Sequence, residues 1–228
     1  MASSETKARD PRHPMPFTRL EVVVLGLVKG ELQVLLARRA SEPCKGRWAL
    51  PGGVLRIDLD ASLDAAAARV AQERLGVHLP FMRQLGAVGG PGRDPARAPW
   101  SLSVVYRALV DAEGLDVAAG KRIEALAWRP ADEAAKDRKL AFDHAALIDQ
   151  AVQAMHAEIG ALDLPRGFIP ERFTLSELQS LCEQLLGVRL DKSSFRRRLA
   201  DRDLVEPVDG EVRTGPNRPA QIFRLRSV

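Results

Sequence analysis

The sequence predicts an α/β fold in two parts: a sheet covered by helices on both faces, then a smaller unit of helix, tight turn, basic helix and hairpin. Three observations support this. Residues 20–28 are β-branched and apolar almost throughout, as expected of a strand buried on both faces. Residues 62–76 place apolar side chains at helical spacing between a hydroxyl cap and a glycine. After Pro170 the period is helical, with a capping box followed by the consecutive arginines Arg196, Arg197 and Arg198.

Taken in order, residues 1–16 are polar with three prolines and read as a disordered arm. Strand 20–28 turns at Lys29-Gly30 into strand 32–39. A helix starts near Ser62, whose capping side chain precedes Leu63, Ala66, Ala67, Val70 and Ala71, and ends at Gly76. Further strands are expected around 84–88, 102–109 and 125–128, with 89–99 as a charged Gly/Pro loop. Asp143 is the expected N-cap of a long helix running to about Glu158 through Ala146, Leu147, Val152 and Met155, with Phe142 filling the core. Two prolines and two glycines in 160–170 mark a boundary. The expected domains are therefore 17–160 and 161–228.

In the second part, Thr174-Leu175-Ser176-Glu177 is a capping box, Leu175, Leu178, Leu181, Cys182 and Leu185 form the buried stripe, and Gly187 ends the helix. Asp191 caps the next helix, 192–202, and strands 204–208 and 221–226 close the unit through a basic loop. Helix, tight turn, basic helix and hairpin make the order of a winged helix-turn-helix.

Composition narrows the functional classes. The chain has 228 residues, 46% apolar, enough for a core without staples. Its two cysteines, Cys44 and Cys182, fit neither a disulfide framework nor zinc spacing and suit a reduced, cytoplasmic setting, with Cys182 read as core. His13, His78, His144 and His156 form no ligand pattern. No run reaches the length of a membrane span and no secretory leader is apparent. A net charge of +4 leans toward an anionic partner.

One segment carries chemistry. Leu50-Pro51-Gly52-Gly53, followed by a helix ending Arg69-Val70-Ala71-Gln72-Glu73-Arg74-Leu75-Gly76-Val77, resembles the Nudix box of nucleoside-diphosphate hydrolases. The family glutamates fall on Ala61, Val70 and Arg74, and Glu73 alone is kept. Mg²⁺ wants oxygen ligands, usually one or two carboxylates with substrate phosphates and water. Valine offers none, and a guanidinium is a permanent cation. Glu73 beside Arg74 is expected to form a salt bridge, and Asp60 is a partial substitute at best. The expectation is a degenerate site that is not an enzyme, with no catalytic residue, no metal ligand and no required cofactor.

The basic helix has its own chemistry. At about 100° per residue, Phe195, Leu199 and Arg202 share one side, while Ser193, Arg197 and Ala200 lie opposite with Ser194 beside them. Small hydroxyls around one central arginine suit entry into a DNA major groove, with Arg196 and Arg198 reaching phosphates on its walls. Lys192, Thr174, and Arg213 and Arg218 of the loop 213–219 complete the expected DNA contacts.

The whole arrangement resembles the Nudix-related transcriptional regulators, a bacterial family that fuses a Nudix-like α/β/α sandwich with a mixed sheet to a C-terminal winged helix. Its carriers are 48–53, Arg93-Asp94-Pro95, Ser103-Val104-Val105-Tyr106, 140–144, Phe173-Thr174-Leu175, Leu190-Asp191-Lys192 with Phe195-Arg196-Arg197, and Arg218-Pro219-Ala220. A two-residue insertion before the Nudix helix departs from the pattern, as do Ala96 and Ala98. The resemblance implies a homodimeric repressor on palindromic DNA that controls genes of NAD or sugar metabolism and is released by ADP-ribose. Expected ligand contacts are Arg38, Arg39, Arg93 and Arg97 for the diphosphate, Gly52-Gly53 for close backbone approach, and Trp48, Leu50, Pro51, Glu73 and Asp94 around them. A working ADP-ribose-type pyrophosphatase with an accessory C-terminal domain is the alternative, and an RNA-binding scaffold the third reading.

Overall fold

The computed structural model describes residues 15–79, 81–94, 96, 98–165, 167–214 and 219–226. Alternation of apolar side chains builds strands β1 (Phe17–Val28) and β2 (Glu31–Arg39), paired antiparallel with Val28 opposite Glu31. Lys29 (φ 51°) and Gly30 (φ 79°) are both left-handed, the backbone that lets a two-residue turn follow the twist of its strands. Around this hairpin lie β3 (Trp48–Ala49), β4 (Gly52–Val54), β5 (Met82–Pro91), β6 (Trp100–Val110) and β7 (Ile123–Pro130). The path is β3-β2-β1-β6-β5, with β4 on β1 and β7 on β2; β1 and β6 are parallel and every other pair is antiparallel. The sheet is thus mixed.

Alternation assigns the two faces of β1. Leu20, Val22 and Val24 pack with Ala66, Ala67, Val70, Ala71 and Leu75 of helix α1 (Leu63–Leu75). Its small alanines let the helix lie close to the sheet. Ser62 caps it by accepting from Ala65 N (3.1 Å), and Gly76 ends it at φ 70°. Val23 and Leu25 face the other way. They join Leu147, Ile148, Ala151, Val152 and Met155 of α3 (His144–Gly160), which follows the short α2 (Ala131–Ala134).

That second face extends into the C-terminal elements: α4 (Leu175–Leu186), α5 (Lys192–Asp201), β8 (Val205–Arg213) and β9 (Ala220–Leu225). Phe173, Leu178, Cys182, Leu185, Phe195 and Leu199 belong to the same buried cluster as Val23 and Leu25. Cys182 is core, and burial pushes its thiol up to about 11. The capping box forms as expected: Thr174 Oγ1 accepts from Glu177 N (3.2 Å), and Thr174 N donates to Glu177 Oε2 (2.8 Å). Asp191 caps α5 by accepting from Ser194 N (2.8 Å).

Three local expectations change. β5 continues through Gly89 and Gly90 to Pro91, where a loop was expected. Gly89 survives in a strand because the Trp100 ring covers it: a Cβ there would lie 2.6 Å from that ring. β8 runs past Val208 to Arg213, with Gly210 at φ 74° inside a register shift. Asp143 occupies the cap position of α3, but its side chain makes no capping bond.

Candidate functional site

Where β1 begins, β2 ends and β7 starts, the β3–β4 turn and α1 enclose a narrow cleft. It is lined by Arg19, Arg39, Arg74 and Arg122, with Leu50, Gly52 and Gly53 as its floor and no carboxylate among the described lining residues. Its open volume is about 40 Å³, room for roughly three waters and thus for the oxygens of a phosphate group.

The glycines are required by close approach. A Cβ on Gly52 would meet Glu21 Oε2 at 1.8 Å, and one on Gly53 would meet Val70 Cγ2 at 2.7 Å. Backbone therefore forms the cleft wall.

Three of the four arginines are placed by hydrogen bonds. Arg19 Nε donates to Glu21 Oε1 (2.8 Å), which sits two residues along the same strand face. Arg39 Nε donates to Pro43 O (2.7 Å), and Arg74 Nε to Gly52 O (2.9 Å). Arg74 Nη1 also donates to Lys121 O. Burial, with Arg19 nearby, holds Arg39 below the usual arginine range. Burial does the same to Arg74; Glu73 opposes it, and Arg122, Arg19 and Arg39 push the same way as burial. Arg19 differs: Glu21 beside it raises its pKa.

The face of α1 on which the resemblance places metal-binding glutamates is occupied otherwise. Val70 is 1% exposed and packs on Gly53. Asp60 is held by Arg69 through bonds of 2.6 and 2.8 Å. Glu73 lies 3.5 Å from Arg69, which corrects the expected Glu73–Arg74 pair. Residues four apart share a helix face, whereas adjacent ones diverge by about 100°. Among the described residues no three acids, histidines or cysteines are placed to hold a metal. The side chains present do not fit a catalytic divalent ion.

Behind the cleft is a second polar cluster sharing Arg19. His144 is buried; its Nδ1 accepts from Leu50 N (2.8 Å), so the ring proton sits on Nε2, 3.9 Å from Glu21 Oε2. Burial lowers its pKa to about 4, leaving it neutral near pH 7. Arg93 clamps the Asp143 carboxylate through bonds of 2.8 and 2.7 Å, which is why that carboxylate does not cap α3. Phe142, expected in the core, has φ 56° and lies beneath the Arg39 and Arg19 guanidiniums, 5.1 and 5.8 Å from its ring centre. Glu21 Oε2, both Asp94 oxygens and Ser101 Oγ are buried with no hydrogen-bond partner among the described residues.

Of the expected ligand contacts, Arg39, Leu50, Gly52 and Gly53 line the cleft, and Arg93 and Asp94 stand behind it. Pro51 fixes the loop, its carbonyl accepting from Val22 N (2.9 Å). Arg38 is elsewhere, paired with Glu124 (3.0 Å), and Trp48 stacks with Arg129 (4.6 Å) outside the cleft lining. Arg97 lies outside the described residues. Sequence reasoning missed Arg19, Arg122 and Glu21, and it singled out Arg74 and His144 without placing them at the cleft. The alternation Arg19-x-Glu21 at the start of a strand was a usable signal; Arg122 gave none, because only the sheet brings it to the cleft.

On α5, Phe195 and Leu199 are buried while Lys192, Ser193, Arg197 and Ala200 are exposed, leaving an outward basic face; Ser194 is half-buried. Arg196 donates to Ser176 (3.4 Å). Arg198 is tied to Gly160 O and Arg202 to Ala161 O, at the C-terminus of α3. Arg213 pairs with Glu177, and Thr174 is 6% exposed with its hydroxyl used in the cap. Arg218 lies outside the described residues.

Comparison with known proteins adds to this geometry. The model of the NUDIX domain matches residues 17–151, and that of the NrtR DNA-binding winged helix domain matches 166–225. The chain is 35% identical over 213 residues to the ADPR responsive transcriptional repressor NtrR of Acinetobacter baylyi, covering 93% of this chain and 83% of that one. Shewanella oneidensis NrtR, solved in complex with a 27mer DNA, is 32% identical with TM-score 0.70 over 92% of this chain and 93% of its own. The NUDIX domain of that protein, solved with ADP ribose, is 31% identical with TM-score 0.57, over 64% of this chain and 92% of its own.

Proposed function

The chain belongs to the NUDIX family, in the group that carries an NrtR DNA-binding winged helix domain, and from that premise we propose that it is a DNA-binding transcriptional repressor controlled by ADP-ribose. We assign effector binding to residues 17–160 and DNA reading to 161–228. The observation that carries the reading is the coexistence of an arginine cleft lacking its metal-binding acids with an exposed basic helix. A diphosphate supplies the negative charge that the cleft wants. Without a carboxylate face to gather metal ions, binding energy is not directed at bond cleavage and is free to bias one conformation over another.

The reader is α5. Arg197 is its central exposed cation and is assigned to a base edge, with Lys192, Ser193 and Ser194 around it. We assign the operator as a palindrome read by a homodimer, the two-fold symmetry of one matching that of the other. Genes of NAD or nucleotide-sugar metabolism are the targets this effector suits. The protein requires no cofactor in this reading and does not turn ADP-ribose over.

The test is fluorescence anisotropy with duplex DNA from upstream of the protein's own gene, with and without ADP-ribose, alongside incubation of ligand with protein and Mg²⁺. Release of DNA with ligand intact is the expected result. Sustained formation of AMP would return the chain to the hydrolases.

A further inference from the structure

We infer that Arg74 stands in for the divalent cation: the cleft holds its effector's diphosphate with built-in positive charge and needs no metal. This deepens the effector reading and rests on it.

The position is telling. Arg74 lies on α1 where the family motif has a carboxylate, next to Glu73. A guanidinium there reverses the sign of the site, turning an ion-gathering face into a fixed cation. Its geometry is prepared. Two of its five N–H groups are bound to Gly52 O and Lys121 O, which leaves three without a protein partner among the described residues. Gly52 O belongs to the cleft floor, so the bond that orients Arg74 also fixes the loop the phosphate must approach.

A purely structural arginine would be expected beside an acid. The nearby acids Asp60 and Glu73 are both paired with Arg69, and Glu73 acts on Arg74 only as a neighbouring charge, with no ion pair between them among the described residues. Arg74 instead shares the cleft with Arg19, Arg39 and Arg122, of which Arg19 has a carboxylate partner in Glu21. Gathering like charges at one half-buried place is unfavourable in the free protein and is relieved by an anion. The planar fork of arginine suits phosphate oxygens, and several forks around one anion satisfy it without water or metal.

The experiment is isothermal titration calorimetry on the full chain with two probes, inorganic pyrophosphate and ADP-ribose, each in EDTA and in millimolar Mg²⁺. Wild type should bind both in EDTA, with no requirement for Mg²⁺. Arg74→Ala should weaken binding in EDTA about ten- to hundredfold, the scale of a charged hydrogen bond. Arg74→Lys, which keeps the charge but loses the fork, should fall between them, and it carries the test should the alanine variant unfold. Binding that appears only with Mg²⁺, or variants matching wild type in EDTA, would overturn the proposal. Pyrophosphate bound without metal through Arg74, with ADP-ribose rejected, would sink the effector's identity and leave the cation's role standing. ADP-ribose bound only with Mg²⁺ would do the reverse.

Discussion

His144 shows how one residue links fold and site. Its Nδ1 accepts from the backbone of Leu50 on the cleft floor, while its own backbone opens α3. Burial depresses its pKa from 6.5 to about 4. The sign follows from proton uptake. Between pH 6.5 and 4 the unfolded chain binds a proton at this histidine and the folded chain does not, so folding is stabilised by rising pH across that window. Stability is full above pH 6.5 and declines as pH falls toward 4, by an amount on the order of 3 kcal/mol. Urea unfolding at pH 7 and pH 4.5 should show this loss in wild type and a smaller loss in His144→Gln, which stays neutral; parallel losses would refute the assignment. The sequence displayed His144 but not its role, because Leu50 and Glu21 reach it only through the fold. The likeness to a Nudix box was legible directly, since its spacing is local to one loop and one helix. That Val70 fills space against Gly53, and that Arg74 points at carbonyls, needed the sheet.

At the scale of elements, α3 spans the distance between the cleft and the basic helix α5. Its first residue, His144, bonds the cleft floor, and the carbonyls at its far end hold Arg198 and Arg202. Cations at a helix C-terminus satisfy unpaired carbonyls and complement the helix dipole. The three consecutive arginines of α5 therefore differ in role: Arg197 is exposed, whereas Arg198 is committed to α3. Arg197→Ala should cost about 1–3 kcal/mol in operator affinity. Arg198→Ala should leave that affinity within about twofold, under 0.5 kcal/mol, while reducing the drop caused by ADP-ribose. Anisotropy titrations at fixed salt separate the two; equal losses for both variants would count against α3 as the link. Helical periodicity and caps made α4 and α5 readable from sequence, because their signals lie within a few residues. β5 was missed at Gly89–Gly90 because the Trp100 and β6 contacts that make a glycine strand tolerable come from elsewhere in the chain.

At the scale of the molecule, one apolar cluster runs from Val23 and Leu25 in the sheet, through Met155 and Ile159 of α3, to Phe195 and Leu199 of the basic helix. Each fully buried side chain of this kind contributes about 1.5–3 kcal/mol, so separating the C-terminal elements would expose a large part of the core. The two parts are joined by packing as well as by sequence, and a ligand that tightens one should stabilise both. Calorimetric unfolding should accordingly show one transition, and ADP-ribose should raise its midpoint as a whole, by an amount set by ligand concentration over Kd. The same continuity requires reciprocity: if ADP-ribose weakens operator binding by some factor, operator DNA must weaken ADP-ribose binding by that factor. Measuring both affinities, each with and without the other ligand, closes the cycle. Two separate melting transitions, with the ligand moving only one, would show that the cleft and the basic helix do not share a core in solution and would leave α3 without a cooperative unit through which to act.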